Sequence, residues 1–217
     1  MTPLPFLCSW SGGKDSCHAL HAALAAGHRP VALLNMLNET GERSRSHGLS
    51  PALLRAQADA LGLPLLTGSA TWQGYEAEFV ARLIEARDGH GARAAVFGDI
   101  DLQAHRDWEE QVCARAGIEA LLPLWQRPRR ALVEEMITDG IRAVIVSCNA
   151  QLGPGFLGRA IDAATLDALE AAGVDACGEN GEYHTAVLDA PTFARPLAVR
   201  QGEAQCHGGY WFLPLTL

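Results

Sequence analysis

The chain has 217 residues, 48% hydrophobic and 19% charged, enough to bury a core without a cofactor and with no run near the ~20 apolar residues of a membrane span. A net charge of −8 gives no overall attraction to nucleic acid, so a nucleic-acid partner is disfavoured. Six cysteines without a C-x-x-C pair argue against zinc-ribbon, iron–sulfur and thioredoxin-type chemistry and predict reduced, mostly buried thiols.

The opening residues Met1-Thr2-Pro3-Leu4 carry no basic region ahead of the first apolar run, so no export signal is expected and the reading is a cytoplasmic protein. Residues 6–10 read as a strand, and six small or polar residues follow: Ser11-Gly12-Gly13-Lys14-Asp15-Ser16. A helical pattern then runs over 16–26 and stops at Gly27. The glycines permit positive φ and close backbone approach, and Asp15 or Ser16 is expected to cap the helix. N–H groups at a helix start, together with the helix dipole, suit a phosphate. Neither familiar phosphate motif accounts for the loop. Cys8 stands where a Walker A loop needs glycine, and G-x-G-x-x-G is missing.

Further strands are expected at 31–37, 63–67 and 94–98. Between them lie a helix over 50–61, with Pro51 first and Gly62 after it, and one over about 74–87. A fourth helix, over about 104–116, follows Asp99-Ile100-Asp101 and leads through Gly117 to a strand at 120–122. This alternation predicts an α/β domain with a parallel, Rossmann-like sheet. Ligands in such sheets sit at the carboxyl ends of the strands, which puts the 11–16 loop, the segment from Asn35 to Asn38 and the segment from Gly98 to Asp101 on one rim. After Pro123 the pattern changes. A helix over about 129–139 and a strand at 143–147 are able to extend the sheet, and strands at 196–199 and 210–215 read as an antiparallel terminal pair. The expected division is a nucleotide-binding domain over 1–122 and a smaller α+β domain over 123–217.

A second polar segment, Gly178-Glu179-Asn180-Gly181-Glu182-Tyr183-His184-Thr185, precedes the apolar pair Val187-Leu188. On a strand, Glu182 and His184 share one face and Tyr183 and Thr185 the other. A carboxylate beside a histidine raises its pKa and orients it for proton transfer; a solvated turn is the alternative. Asp99 and Asp101, like Asp15, are placed to hold Mg²⁺ near phosphates or to cap helices. Arg127, Arg129 and Arg130 crowd a helix start, where positive charge is unfavourable, and an ion pair with Glu134 or a solvated face is expected to accommodate them. Cys148 and Cys177 read as structural.

The 11–16 loop resembles the S-G-G-x-D-S loop of the N-type ATP pyrophosphatases, which cleave ATP to AMP and pyrophosphate while adenylating a substrate. Taken with Ser44-Arg45-Ser46-His47-Gly48, Gly98-Asp99-Ile100, Arg106-Asp107-Trp108-Glu109, Pro123-Leu124-Trp125 and the segment from Glu179 to Thr185, nearly the whole chain resembles the diphthine-ammonia ligase family of these enzymes. One departure is visible: the family's second motif usually reads G-G-E-[YF]-E-T, and Asn180 and His184 here replace a glycine and a glutamate.

The resemblance implies a HUP-type nucleotide-binding domain and an ATP-dependent, amide-forming ligase that uses Mg²⁺. It implies ATP contacts from Ser11, Gly12, Gly13, Lys14, Asp15, Ser16, Asn35, Met36 and Gly98, with metal contacts from Asp15, Asp99 and Asp101. Lys14, Asp15, Glu182 and His184 are the expected catalytic residues. Acceptor contacts are expected from Arg45, His47, Arg106, Glu179, Asn180, Glu182, Tyr183, His184 and Thr185. The acceptor is a carboxylate on a small molecule or a protein. With no nucleophilic cysteine after Met1 and no room for a glutaminase domain, ammonia or an amine is expected from outside. A homo-oligomer is compatible with this reading. The alternatives are a tRNA-modifying enzyme and a non-catalytic ATP-binding sensor.

Overall fold

In the computed structural model, which describes residues 2–217, the chain opens with β1 (Pro5–Ser9), a turn over residues 10–13 and α1 (Lys14–Ala25). The alternation continues through β2 (Arg29–Leu37), α2 (Pro51–Leu61), β3 (Leu65–Ser69), α3 (Tyr75–His90), β4 (Ala94–Val96), α4 (Gln103–Ala116) and β5 (Glu119–Leu121). The five strands form a parallel sheet in the order β3-β2-β1-β4-β5. The order reverses between β1 and β4, so the connections leaving those two strands diverge and open a crevice at their carboxyl ends.

Local sequence accounts for most boundaries. Ser50 caps α2 by accepting the Leu53 N–H at 3.2 Å, Pro51 occupies the first helical position, and Gly62 ends the helix at φ +67°. The start of α1 differs from expectation. Its N-cap is Gly13 in an extended conformation, not Asp15 or Ser16, and both of those lie inside the first turn. The cap is supplied from elsewhere: Thr185 Oγ1, 171 residues downstream, accepts the Lys14 N–H at 3.0 Å. A tertiary acceptor has replaced the local one, so the helix starts two residues early.

The second half adds α5 (Arg129–Thr138), β6 (Arg142–Asn149), a short 3₁₀ turn (Pro154–Phe156), α6 (Ala163–Ala171) and β7 (Tyr183–Asp189). Four short strands close the chain: β8 (Arg200–Gln201), β9 (Gln205–His207), β10 (Tyr210–Phe212) and β11 (Leu215–Thr216). Two expectations are corrected here, and one helix is new. β6 does not extend the parallel sheet; it pairs antiparallel with β7 and β10 in a second sheet of order β7-β6-β10-β9. Residues 196–199 are not a strand, and the terminal pairing is β8 with β11 while β10 joins β6 and β9. α6 was not anticipated, although Asp162 caps it by accepting the Thr165 N–H at 2.8 Å.

One apolar core joins the two sheets. Phe6, Cys8 and Leu33 from one face of the parallel sheet, with Trp10 just after β1 and Leu54 of α2, pack in the same cluster as Leu132, Ile145, Tyr183 and Val187. The opposite face is covered by α3 and α4 through Phe79, Leu83 and Val112. Gln57 stitches the halves within this core. Fully buried, it donates to the Gly12 and Val187 carbonyls at 2.9 and 2.8 Å and accepts the Trp10 indole N–H at 2.9 Å. An amide satisfied in this way specifies one arrangement, because any other leaves its polar atoms buried and unpaired.

All six cysteines are free, and only Cys206 is exposed. Burial pushes the thiols of Cys8, Cys17, Cys113, Cys148 and Cys177 up, so they stay protonated and unreactive. Among the described residues no helix is long and apolar enough to cross a membrane.

Candidate active site

The 11–16 loop is shaped by close approach. Gly12 sits at φ +84° with Leu49 and Gln57 pressed against the position a Cβ would take, so neither the conformation nor the space suits another residue. Gly98, at the end of β4, lies against the backbone of Asp15 and Ser16. Ser11 Oγ lies 3.1 Å from Ser16 Oγ and accepts the Gly13 N–H at 3.3 Å. The first N–H groups of α1 have no acceptor within their own helix and point out of its N-terminus, where the dipole favours an anion.

Lys14 is buried beneath this loop. Its ammonium donates to both Asp15 oxygens, at 3.0 and 2.8 Å, and to the Cys177 carbonyl, and it stands 5.2 Å from the centre of the Tyr183 ring. Burial, the largest single influence, lowers its pKa, but Asp15, Tyr183 and Cys177 together more than offset it and hold Lys14 protonated. Tyr183 is itself fixed by donating its hydroxyl proton to the Ala176 carbonyl.

β7 brings the second motif against the loop. Thr185 caps α1 with its hydroxyl, and its carbonyl takes the His47 Nδ1 proton at 2.7 Å, which leaves His47 Nε2 as the acceptor nitrogen. His184 lies beside His47 with ring centres 4.7 Å apart. Burial, then the proximity of His47 and Lys14, lowers the His184 pKa to about 3, and burial lowers that of His47 as well. Both imidazoles are therefore neutral at physiological pH.

The expected Glu182–His184 pair is not formed. Glu182 precedes β7 and turns back to accept the Asn180 backbone and side-chain N–H groups, each at 3.0 Å. Glu182 and Asn180 shape the turn and do not line the cavity. Glu179 faces the cavity instead, its N–H held by Asp175 at 3.2 Å. Burial and then the Asp15 charge raise its carboxyl to about 7. The sequence carried no signal for this choice between two nearby glutamates, because it depends on which way a glycine turn folds.

On the β4 side, Asp99 accepts from His105 Nδ1 at 2.6 Å and stands beside Glu109. Burial and then the Asp99 charge push Glu109 up to about 11, so it is protonated. Arg45 stacks its guanidinium 4.4 Å over Trp72 and 5.4 Å over Tyr75. Asn35 donates to the Trp10 carbonyl at 2.7 Å while its buried Oδ1 has no partner, and Asn35 and Met36 line a small recess adjoining the main cavity.

Two expected site residues stand apart. Asp101 gives both oxygens to Arg129, and Arg106 pairs with Glu110 and stacks over Trp125; neither lines the cavity. The arginines at the start of α5 are neutralised inside the protein. Arg129 bridges Asp101 and Asp175, Arg127 pairs with Glu135, and Arg130 pairs with Glu134, Asp167 and Glu170.

The cavity measures about 650 Å³, and around it stand Ser11, Lys14, Asp15, Ser16, Arg45, His47, Gly98, Asp99, Glu179, Tyr183, His184 and Thr185. Tyr75, Phe79 and Phe97, which the motifs did not single out, form its apolar wall together with Trp108 of the Arg106-Asp107-Trp108-Glu109 motif. A glycine loop at the order reversal of a parallel sheet, opening a helix start into such a cavity, is the arrangement of a nucleotide-binding α/β protein that holds phosphate at a helix N-terminus without a Walker A motif.

The chain belongs to the diphthamide synthase family. The model of the diphthamide synthase N-terminal domain matches residues 6–120 and that of the C-terminal domain residues 129–215. The chain is similar to diphthine–ammonia ligase of Bos taurus, 31% identical over 95% of this chain and 86% of that protein, and to that of Homo sapiens at 30% with the same coverage. The Schizosaccharomyces pombe diphthine–ammonia ligase is 30% identical over 91% of this chain, which spans 36% of that longer protein. Among solved structures, a predicted subunit of tRNA methyltransferase from Methanocaldococcus jannaschii aligns with a TM-score of 0.47 at 15% identity, covering 87% of this chain and 98% of that one.

Proposed function

We propose that the protein is an ATP-dependent ligase that activates a carboxylate as its acyl-adenylate, releases pyrophosphate, and passes the acyl group to ammonia or an amine. One observation carries this reading: the phosphate-type loop, a carboxyl poised near neutrality at Glu179, and the neutral pair His47 and His184 all open into a single cavity.

ATP is consumed in this reaction and is a substrate. Gly12 and Gly98 allow the close packing that shapes the loop, and Ser11, Ser16 and the N–H groups that follow Lys14 at the start of α1 supply donors for phosphate oxygens. The unpartnered Asn35 Oδ1 is an acceptor for a base N–H or a ribose hydroxyl, with Met36 and Phe79 as apolar walls. Asp15 and Asp99 are oxygen donors that fit Mg²⁺; Asp101, held by Arg129, is left out of that set. Mg²⁺ bound there would offset the phosphate charge and ease departure of pyrophosphate.

The acceptor carboxylate attacks the α-phosphate, the bond to pyrophosphate breaks, and Lys14, kept protonated by Asp15, faces the charge that develops. The amine nitrogen then attacks the acyl carbon and AMP leaves with the bonding pair. Glu179 takes the amine proton, for which a pKa of about 7 is suited. His184 stands where relatives usually carry glutamate and stays neutral, so it orients a neutral amine and does not hold an ammonium ion. The acceptor is a carboxylate on a small molecule or protein, and the setting is the cytoplasm, where ATP and ammonium are supplied.

The test is product analysis with ATP, Mg²⁺, ammonium and candidate carboxylates. AMP and pyrophosphate should form in step with amide; ADP and phosphate would sink the proposal.

A further inference from the structure

We propose that His18, Glu135 and Asp139 form a binding site for a first-row divalent transition ion of the Zn²⁺ type, which clamps α1 to α5. His18 lies one helical turn beyond Lys14 on α1, is 1% exposed, and has no hydrogen-bond partner at either ring nitrogen. A buried imidazole left unpaired is costly unless something else engages it. Its Nε2 stands 3.6 Å from Glu135 Oε1, beyond hydrogen-bond reach.

Glu135 and Asp139 lie one turn apart at the end of α5, where the Asp139 N–H donates to the Glu135 carbonyl at 2.8 Å. One ligand atom from each of the three residues lies within 4.8 Å of the others. An ion about 2.1 Å from each ligand in a tetrahedral set separates them by roughly 3.4 Å, so the 3.6 Å pair is already spaced and Asp139 closes by a small side-chain rotation. Arg127 holds Glu135 chiefly through Oε2 and reaches Oε1 only at 3.5 Å, which keeps Oε1 turned toward His18 in the manner of an outer partner orienting a metal ligand.

One imidazole with two carboxylates favours a borderline ion over Mg²⁺ or Ca²⁺, which prefer all-oxygen sites. None of the three residues lines the active-site cavity. α1 carries the phosphate-type loop at its start and α5 lies in the segment matched by the second family model, so the ion would tie the loop helix to the second half of the chain.

The experiment uses the full-length, metal-stripped protein titrated with Co²⁺, followed by its visible absorption, and with Zn²⁺, followed by thermal unfolding. One Co²⁺ per chain and a Zn²⁺-dependent rise in Tm are expected. Asp139→Asn is the principal variant because Asp139 is exposed and its loss leaves the core intact. It should weaken Co²⁺ binding by at least about tenfold, the lower end of what even an outer partner is worth. His18→Gln should do the same, and Cys206→Ser with His207→Ala should leave binding unchanged. Wild-type Co²⁺ affinity in Asp139→Asn, absence of binding in the wild type, or loss of binding in the Cys206 and His207 variant would each overturn the proposal.

Discussion

Replacing Gly98 with alanine tests the packing that shapes the phosphate-type loop. The new Cβ would lie 2.8 Å from the Asp15 carbonyl carbon, 2.9 Å from the Ser16 nitrogen and 3.0 Å from the Asp15 oxygen. These are all backbone atoms, so no side chain can swing aside. Reaching ordinary contact at 3.4 Å requires β4 and the start of α1 to separate by roughly 0.6 Å, the difference between 3.4 and 2.8 Å. α1 resists that movement, being tied to β7 by the Lys14–Thr185 bond at 3.0 Å and the Val187–Gly12 bond at 2.9 Å. Overpacking of this kind costs about 1–3 kcal/mol. At about 2–4 °C per kcal/mol for a chain of this size, Tm should fall by roughly 2–12 °C. Misplacing a reacting group by 1 Å costs about 100-fold, so a shift of this order should slow AMP formation at saturating ATP by at least about tenfold. The assays are thermal unfolding and acceptor-dependent pyrophosphate release. Gly89→Ala, with nothing within 4 Å and a helical backbone in α3, is the control and should stabilise by about 0.5–1 kcal/mol. A Gly98→Ala protein with wild-type Tm and wild-type AMP formation would refute the argument that β4 presses on the loop.

Gly13→Ala places a Cβ 2.3 Å from His47 Cε1, so it should destabilise by about 1–3 kcal/mol, and the penalty should shrink in a His47→Ala background. Additive urea-unfolding energies in the two backgrounds would contradict the contact. Thr185→Val removes the acceptor of the buried Lys14 N–H and should cost about 1–3 kcal/mol, while Thr185→Ser should restore most of it in the same measurement. Glu179 carries a carboxyl raised from 4.5 to about 7, so the folded state binds its proton more tightly than the unfolded state. Its contribution to stability is present below pH 4.5 and is lost as pH rises through about 7; denaturation across that window should show the loss in wild type and not in Glu179→Gln. The same variant should lose the inflection near pH 7 in the amide-forming rate while retaining ATP binding, and an unchanged profile would remove Glu179 from the proton-transfer role.

The parallel half was legible because each of its elements carries its own signal: Pro51 and Gly62 bracket α2, and apolar runs end where turn residues begin. The second half was read less well for a physical reason. β8, β9, β10 and β11 are two or three residues long, too short for alternation to establish, and their pairing depends on partners far along the chain. The same distinction runs through the site. Gly12, Gly13 and Gly98 were visible as residues, and their roles follow from close approaches that only folding creates. The cap on α1 looked local and proved tertiary, since Thr185 reaches Lys14 across 171 residues. The Glu182–His184 relay failed because a glutamate just before a strand finds a nearer partner in the turn, here Asn180. Tyr75, Phe79 and Phe97 left no motif, because apolar residues read alike whether they face a core or a cavity, and Trp108 and Glu109 were visible only as part of a helix-start motif, without a sign that they reach the cavity.

The central claim is that the loop and the second motif act on one carboxylate through its adenylate. It is tested most directly by following a heavy-oxygen label from the acceptor carboxylate through a single turnover with ATP and ammonium. Transfer of one labelled oxygen to the phosphate of AMP, lost in Asp15→Ala, is the predicted result. Label found in inorganic phosphate alongside ADP, or amide formed with AMP unlabelled, would contradict it.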